Sequence, residues 1–270
     1  MEIKSLIIQT DLIFAKFAGS IEYRSDMAII RTPSNPRFHW GNFIVFKNPP
    51  KIDDCQNWKR IFDQEFDYYK GPHHYTFVWD IDGSETSCDK EIIKAFEKYE
   101  FDYEDSIALS CSELNAPKQL NHEIKIREIK TESEWQEVIK LQILCGDEKY
   151  KKNGTYEKFK IDQFKNYRKM YEADLGFWYG AFIGETLVAD LGIFHSRNLA
   201  RYQSVETHPD YRNKGICGTL VYQSSLMLLK HFNIDQFVMV ADPNYHAARI
   251  YENVGFKNVE KIESFSWWVR

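Results

Sequence analysis

The residues best arranged for chemistry lie in one run, Val205-Glu206-Thr207-His208-Pro209-Asp210-Tyr211-Arg212-Asn213-Lys214-Gly215-Ile216-Cys217-Gly218-Thr219-Leu220. Arg212 and Lys214 lead into Gly215 and Gly218, and Ile216, Leu220, Tyr222, Leu226, Leu229 and Phe232 then recur at roughly helical spacing. A helix start offers backbone N–H groups without partners and a partial positive charge. Glycines let an anion approach that backbone closely. The pattern therefore predicts a seat for a phosphate or pyrophosphate at a helix start. Neither G-x-G-x-x-G nor G-x-x-x-x-G-K-[ST] is present, so neither a dinucleotide fingerprint nor a P-loop is implied.

The elements around this run must position it. Leu199 to Thr207 is rich in aromatic and β-branched residues, as a strand is, and Pro209-Asp210 stops it. Gly176 to Ile183 and Thr186 to Phe194 read as a hairpin turning at Gly184-Glu185. Phe237-Val238-Met239-Val240 is a further strand, followed by a second informative run, Asn244-Tyr245-His246-Ala247-Ala248-Arg249-Ile250-Tyr251-Glu252-Asn253-Val254-Gly255-Phe256. Together the two runs resemble the GNAT superfamily of acyltransferases. Arg212 and Gly215 match its coenzyme A signature [RQ]-x-x-G-x-[GA], with Cys217 where Gly or Ala is usual. Asn244, Ala247, Ile250, Tyr251, Gly255 and Phe256 match its later motif N-x-x-A-x-x-[LI]-Y-x-x-x-G-F. The resemblance covers about residues 122–270.

The resemblance implies an N-acetyltransferase that moves an acetyl group from acetyl-CoA to a primary amine of a small molecule or peptide. A non-catalytic acyl-CoA-binding regulatory module is the alternative. It implies coenzyme contacts from Val205, Thr207, Arg212, Asn213, Lys214, Gly215, Ile216, Cys217, Gly218, Thr219, Asn244, Ala247 and Tyr251. Val205, Glu206 and Thr207 would then stand near the acetyl group. Tyr251 is the candidate acid for the leaving thiolate, and Glu206 the candidate base for the amine, with His195, His208 and Asp190 as rivals. Strand alternation alone puts Glu206 on the face opposite Val205 and Thr207, unless a bulge intervenes. Asn244 would bind the pantetheine arm or cap a helix. Cys217 would fill a small-residue slot or form a mixed disulfide with the coenzyme. The first two helices, one behind the capping-box sequence Thr131-Glu132-Ser133-Glu134 and one over Tyr156 to Glu172, would line the acceptor pocket. The loop Gly146 to Gly154 between them would be a lid or a solvated loop.

The chain has 270 residues and a formal net charge of -5, which gives no reason to expect nucleic-acid binding. Its five cysteines, Cys55, Cys88, Cys111, Cys145 and Cys217, contain no C-x-x-C pair, so no zinc site or disulfide framework is suggested. There is no signal-peptide core and no membrane-length apolar run, and the expectation is a cytoplasmic monomer or homodimer, with no metal and no membrane partner.

The first half reads as strands over Ile21 to Arg31, Trp40 to Phe46, Tyr75 to Asp80 and Asp105 to Cys111, with helices over Asp53 to Phe66 and Asp89 to Tyr99. Leu6-Ile7-Ile8 opens either a strand or a helix, and His73-His74 reads as a surface turn. The order echoes the second half, with Phe96 over Tyr251, and implies a degenerate GNAT-like repeat. The first copy lacks the phosphate seat: Asp53 and Asp54 put two acids at its helix start. It would be structural or would shape the acceptor pocket. The expected fold is α+β, a mixed and mostly antiparallel twisted sheet flanked by helices, in two similar tandem domains: residues 1–115, a linker at 116–122, and residues 123–270. The last strands, about 258–263 and 265–269, carry Trp267-Trp268 as core and cleft lining.

Overall fold

The computed structural model describes residues 1–269 apart from 37, 68–73, 81–87, 147, 152–154 and 244–247. The chain forms two units, Met1–Ala108 with Val259–Arg270, and Leu109–Asn258. The first opens with α1 (Leu6–Ala18), β1 (Ser20–Tyr23), β2 (Met27–Arg31), β3 (Phe43–Phe46), α2 (Asp54–Glu65), β4 (His74–Trp79) and α3 (Lys90–Glu97). Strand β5 (Asp102–Cys111) leads to the second, which contains β6 (Lys125–Glu128), α4 (Glu132–Cys145), α5 (Glu148–Lys151), α6 (Thr155–Glu172), β7 (Gly176–Ile183), β8 (Thr186–Ser196), β9 (Leu199–Thr207), α7 (Ile216–Leu228), β10 (Gln236–Ala241) and α8 (Ala248–Glu252). Most of β11 (Lys257–Trp268) belongs to the first unit and pairs antiparallel with β4.

The two units repeat one plan. In the first, β1, β2 and β3 are antiparallel neighbours, and β3 runs parallel to β4 across the α2 crossover. In the second, β7, β8 and β9 are antiparallel neighbours, and β9 runs parallel to β10 across α7. Each is a mixed, mostly antiparallel sheet with helices, as expected.

Several local readings need correction. Ile21 to Arg31 is a hairpin rather than one strand, because the chain turns at Arg24-Ser25-Asp26, where Arg24 N–H bonds Met27 O at 2.8 Å. His39–Gly41 is a 3-10 turn, so the expected strand from Trp40 begins only at Phe43. His74 is buried at the start of β4, stacked on His39 with ring centroids 4.4 Å apart, and is not on a surface turn; His73 lies outside the described residues. Residues 257–268 form one strand rather than two, and most of it lies with the first unit rather than with residues 123–258. No proline or glycine interrupts that stretch. The expected linker at 116–122 belongs to the second unit, and the loop after Gly146 contains the single helical turn α5.

Aromatic stacking fills the first core. Phe46 lies on Trp58 at 3.8 Å, and Phe96 lies on Phe265 of β11 at 4.0 Å. Leu6-Ile7-Ile8 is helical, and its helix start is closed by two carboxylates. Asp80 accepts from Lys4 N (2.9 Å) and Ser5 N (2.8 Å), while Glu260 accepts from Ser5 Oγ and Leu6 N (2.6 Å). Ser5 Oγ in turn accepts from Ile8 N, so the backbone donors of the first turn are matched. In the second unit the Thr131–Glu134 capping box forms, and Phe164 and Tyr167 of α6 pack on Trp178 of β7. Among the described residues, no helix is long and apolar enough to cross a membrane.

Removing the Glu260 carboxylate strands the donors at the start of α1. Glu260→Ala is expected to lower stability by about 1–2 kcal/mol, the usual cost of losing a helix cap. Urea unfolding measures it, and an unchanged midpoint would show that the cap contributes nothing.

Candidate active site

The site grows out of a defect in the sheet. Strands β9 and β10 pair only where they begin, Leu199, Ala200 and Arg201 against Gln236, Phe237 and Val238. Both strands continue, to Thr207 and Ala241, but the ladder between them stops. On its other edge β9 carries a bulge: Asp190 pairs with Glu206 and Gly192 with Gln203, so one residue of β8 faces two of β9. Ser204 sits in the bulge with φ +51, a left-handed conformation unusual for a residue with a side chain. Its carbonyl accepts from Gln142 Nε2 of α4 at 2.8 Å. Simple alternation is therefore interrupted just before Val205, Glu206 and Thr207.

The bulge brings a polar cluster together. Asp190 is fully buried, and its Oδ1 accepts from Gln142 Nε2 (2.8 Å) and Trp178 Nε1 (2.9 Å). Burial drives the Asp190 carboxyl up to about 8, with the nearby Glu206 adding to the effect. Burial also raises Glu206, against the pull of Lys160 and Arg212. Lys160 of α6 is half-buried and is shifted downward by desolvation, although Glu206, Asp190 and Cys145 oppose that shift. Burial pushes the Cys217 thiol up to about 12, with the nearby side chains of Tyr251 and Thr207 opposing the rise. Glu206, Cys217, Thr207 and Tyr251 thus share one neighbourhood. Asp190, a rival to Glu206, is part of it. His195 is not: it pairs with Ala200 at the far end of β8 and its ring lies 3.9 Å from that of Phe232. His208 turns its Nδ1 to accept from Asp210 N at 3.3 Å.

After Thr207 the chain makes a 3-10 turn at Pro209–Tyr211 and enters α7 through Arg212, Asn213 and Lys214, all exposed. Arg212 Nε donates to Thr207 O at 3.1 Å, and Lys214 Nζ to Asp210 O at 3.1 Å. Gly215 is the N-cap of α7 at φ +73, and a Cβ there would stand 2.7 Å from Gln119 O. Both conditions demand glycine. The first helical bond is Thr219 N to Gly215 O, so the N–H groups of Ile216, Cys217 and Gly218 have no acceptor in their own helix. Gly218 only needs to be small, since its Cβ would meet Ile250 and Pro117 at 3.5 Å. The stretch before β6 clamps this loop: Asn121 Nδ2 donates to Lys214 O at 2.9 Å, and Asn121 N to Thr219 Oγ1 at 2.9 Å. Tyr251 is buried on α8, while Asn244 and Ala247 lie outside the described residues.

Residues 135–256 match the family model described as "Acetyltransferase (GNAT) family". This segment is a GNAT acetyltransferase domain. No curated protein matches the chain. Solved structures resemble it over nearly its whole length. A functionally unknown conserved protein from Staphylococcus epidermidis ATCC 12228 aligns with a TM-score of 0.75 and 14% identity, covering 94% of this chain and 95% of that one. A GCN5-related N-acetyltransferase from Kribbella flavida gives 0.66 and 8%, covering 98% and 96%. A tandem GNAT protein from the clavulanic acid biosynthesis pathway gives 0.56 and 10%, covering 96% and 87%. At these identities the likeness is one of fold, and it extends the tandem plan across both units.

Sequence reasoning about the GNAT domain missed Gln142, Lys160, Cys145 and Trp178. Two of them carried a signal. Gln142 falls one turn after Val138 on the buried face of α4, and Lys160 falls between Tyr156 and Phe164 on the aromatic stripe of α6. A polar or charged residue on an apolar stripe marks a place where the fold needs it.

Two outcomes follow from this geometry. Gly215→Ala is expected to lower the melting temperature, whereas Gly218→Ala leaves it unchanged or raises it, because alanine favours a helix by about 1 kcal/mol over glycine. Equal effects would contradict the loop geometry. Asp190 keeps its proton in the fold up to about 8, while in the unfolded chain it loses it near pH ~4. Folding therefore takes up a proton between those values, and stability falls as pH rises through that window. In Asp190→Asn the fall between pH ~5 and ~8 should flatten; thermal melts with the wild-type slope would contradict a protonated Asp190.

Proposed function

We propose that the second unit transfers an acetyl group from acetyl-CoA to a primary amine. The observation that carries this reading is the divergence of β9 from β10 beside the Gly215 helix start, with Glu206, Cys217 and Tyr251 gathered at the open end of β9. Backbone groups of Val205 and Thr207, freed from the parallel ladder, suit the amide-bearing pantetheine arm. The N–H groups of Ile216, Cys217 and Gly218 suit the pyrophosphate, with Arg212, Asn213, Lys214, Gly215 and Thr219 around it. The left-handed Gly215 cap begins the helix and leaves those N–H donors to a ligand held by backbone. Asn244 and Ala247 join this set by family resemblance.

The bound coenzyme supplies an acetyl thioester. Glu206 then takes the proton from the acceptor amine so that the nitrogen lone pair can attack. Burial suits it to that task, because a carboxylate raised toward neutrality is a stronger base. Tyr251 gives its hydroxyl proton to the departing thiolate, from a position near Cys217. A thiol pushed to about 12 stays neutral and is a poor nucleophile, which favours direct transfer over an acyl-cysteine intermediate.

The test is coenzyme release over a panel of primary amines. Glu206→Gln and Tyr251→Phe should bind acetyl-CoA as the wild type does while losing about 10²-fold or more in kcat. Glu206 acts only when ionised, so wild-type kcat/KM should rise with pH through a limb lying above the ordinary carboxylate range, and Glu206→Gln should lose that limb. Retention of the limb would remove Glu206 as base. Coenzyme binding without turnover of any amine would replace the enzyme reading with a binding module.

A further inference from the structure

The reading above leaves Lys160 unexplained. It points from α6 into the cluster, half-buried, with Nζ 5.8 Å from the ring centroid of Tyr156 and 6.0 Å from that of Phe164. Its hydrogen bond is a long one, 3.4 Å, to the neutral Oε1 of Gln163. Among the described residues no carboxylate comes within ion-pair distance of it, although Glu206 and Asp190 both act on it electrostatically. A half-buried cation without a bonded anion is costly, and proteins keep such groups where a ligand supplies the partner.

The charges beside it are specific. Asp190 pairs with Glu206 across β8 and β9 and accepts from Trp178 Nε1, and the Trp178 ring packs 4.8 Å from Phe164, whose ring lies 6.0 Å from Lys160 Nζ, so one carboxyl group, Glu206, and one amine, Lys160, are held in the same cluster. Glu206 acts electrostatically both on Lys160 and on the Cys217 thiol, which Tyr251 also influences. A molecule whose amine meets Glu206 therefore lies within the electrostatic reach of Lys160.

We propose that the acceptor is a small zwitterion, an amino carboxylate of the amino-acid type, whose amine is received by Glu206 and whose carboxylate is received by Lys160. The inference rests on the acetyl-transfer reading and narrows it. Lys160 acts as a specificity residue: it attracts the carboxylate and repels a second ammonium, which disfavours diamines and polyamines. The aromatic residues Tyr156 and Phe164 flank the cation and limit its access to water.

The experiment compares the standard α-amino acids, their primary amides and linear diamines, by thiol release from acetyl-CoA, with acetyl-CoA titrated calorimetrically in parallel. At least one amino acid should exceed its own amide in kcat/KM by about tenfold or more, the scale of one charged contact. Lys160→Gln should erase that preference mainly through KM, Lys160→Arg should keep it, and Lys160→Glu should turn it toward diamines; thermal melts verify that the variants fold. Amides or diamines preferred by the wild type would overturn the proposal. So would a Lys160→Gln variant that slows every acceptor alike and shifts their common pH profile, since Lys160 would then only support Glu206. Turnover of no amino acid despite coenzyme binding also overturns it. Failure of acetyl-CoA to bind would instead remove the transferase reading beneath it.

Discussion

The second unit depends on where a parallel ladder stops. Strands β9 and β10 are hydrogen-bonded for their first residues and then part. The bulge at Ser204 accompanies the parting: its left-handed backbone costs about 1 kcal/mol for a residue with a Cβ. Gln142 stabilises it, because the two N–H donors of one amide reach both the Ser204 carbonyl and the Asp190 carboxyl. A strand edge freed of its partner has polar backbone groups that need other partners. The same edge runs to Glu206 and Thr207 and from there to the helix start at Gly215. One distortion thus joins a freed strand edge, a re-aimed carboxylate and a helix start whose first N–H groups have no acceptor in their own helix.

The first unit shows what the same plan does without that distortion. Strand β3 pairs with β4 through its last residue, Phe46 against Trp79, and Asp80 N–H extends the ladder by bonding Phe46 O at 2.8 Å. No edge is released. The ring of Trp58 covers Phe46, and Phe96, the counterpart of Tyr251, is buried against Phe265. At the start of α2 the Asp54 carboxylate already accepts from Lys51 N–H at 2.7 Å, an anion built into the chain where the α7 start has glycine as its N-cap. Two copies of one topology have been resolved into a packed copy and an open one.

Much of this was legible in the amino-acid order. Gly215 marked a helix start, Thr131 and Glu134 a capping box, and Asp53-Asp54 a helix start carrying two acids. Those features are local, and local chemistry is written in neighbouring residues. What stayed hidden depends on partners distant in sequence. The bulge at Ser204 has no turn residue to announce it and is held by Gln142, 62 positions away. His74 looked like a turn beside Gly71-Pro72, but stacking on His39 draws it inside. The strand over 257–268 gave no sign of pairing with β4, because an alternating pattern names a face and not a neighbour. The Asp190–Glu206–Lys160 group comes from three separate elements, and only burial shows that their charges interact.

The central claim is that one of the two units has an open coenzyme seat and the other has a closed counterpart. Calorimetric titration of the whole chain with acetyl-CoA tests it directly, alongside a variant carrying Arg212→Ala and Gly215→Glu. The account expects saturation at one coenzyme per chain and no binding in the variant. A second site, or binding that survives the double substitution, would contradict it.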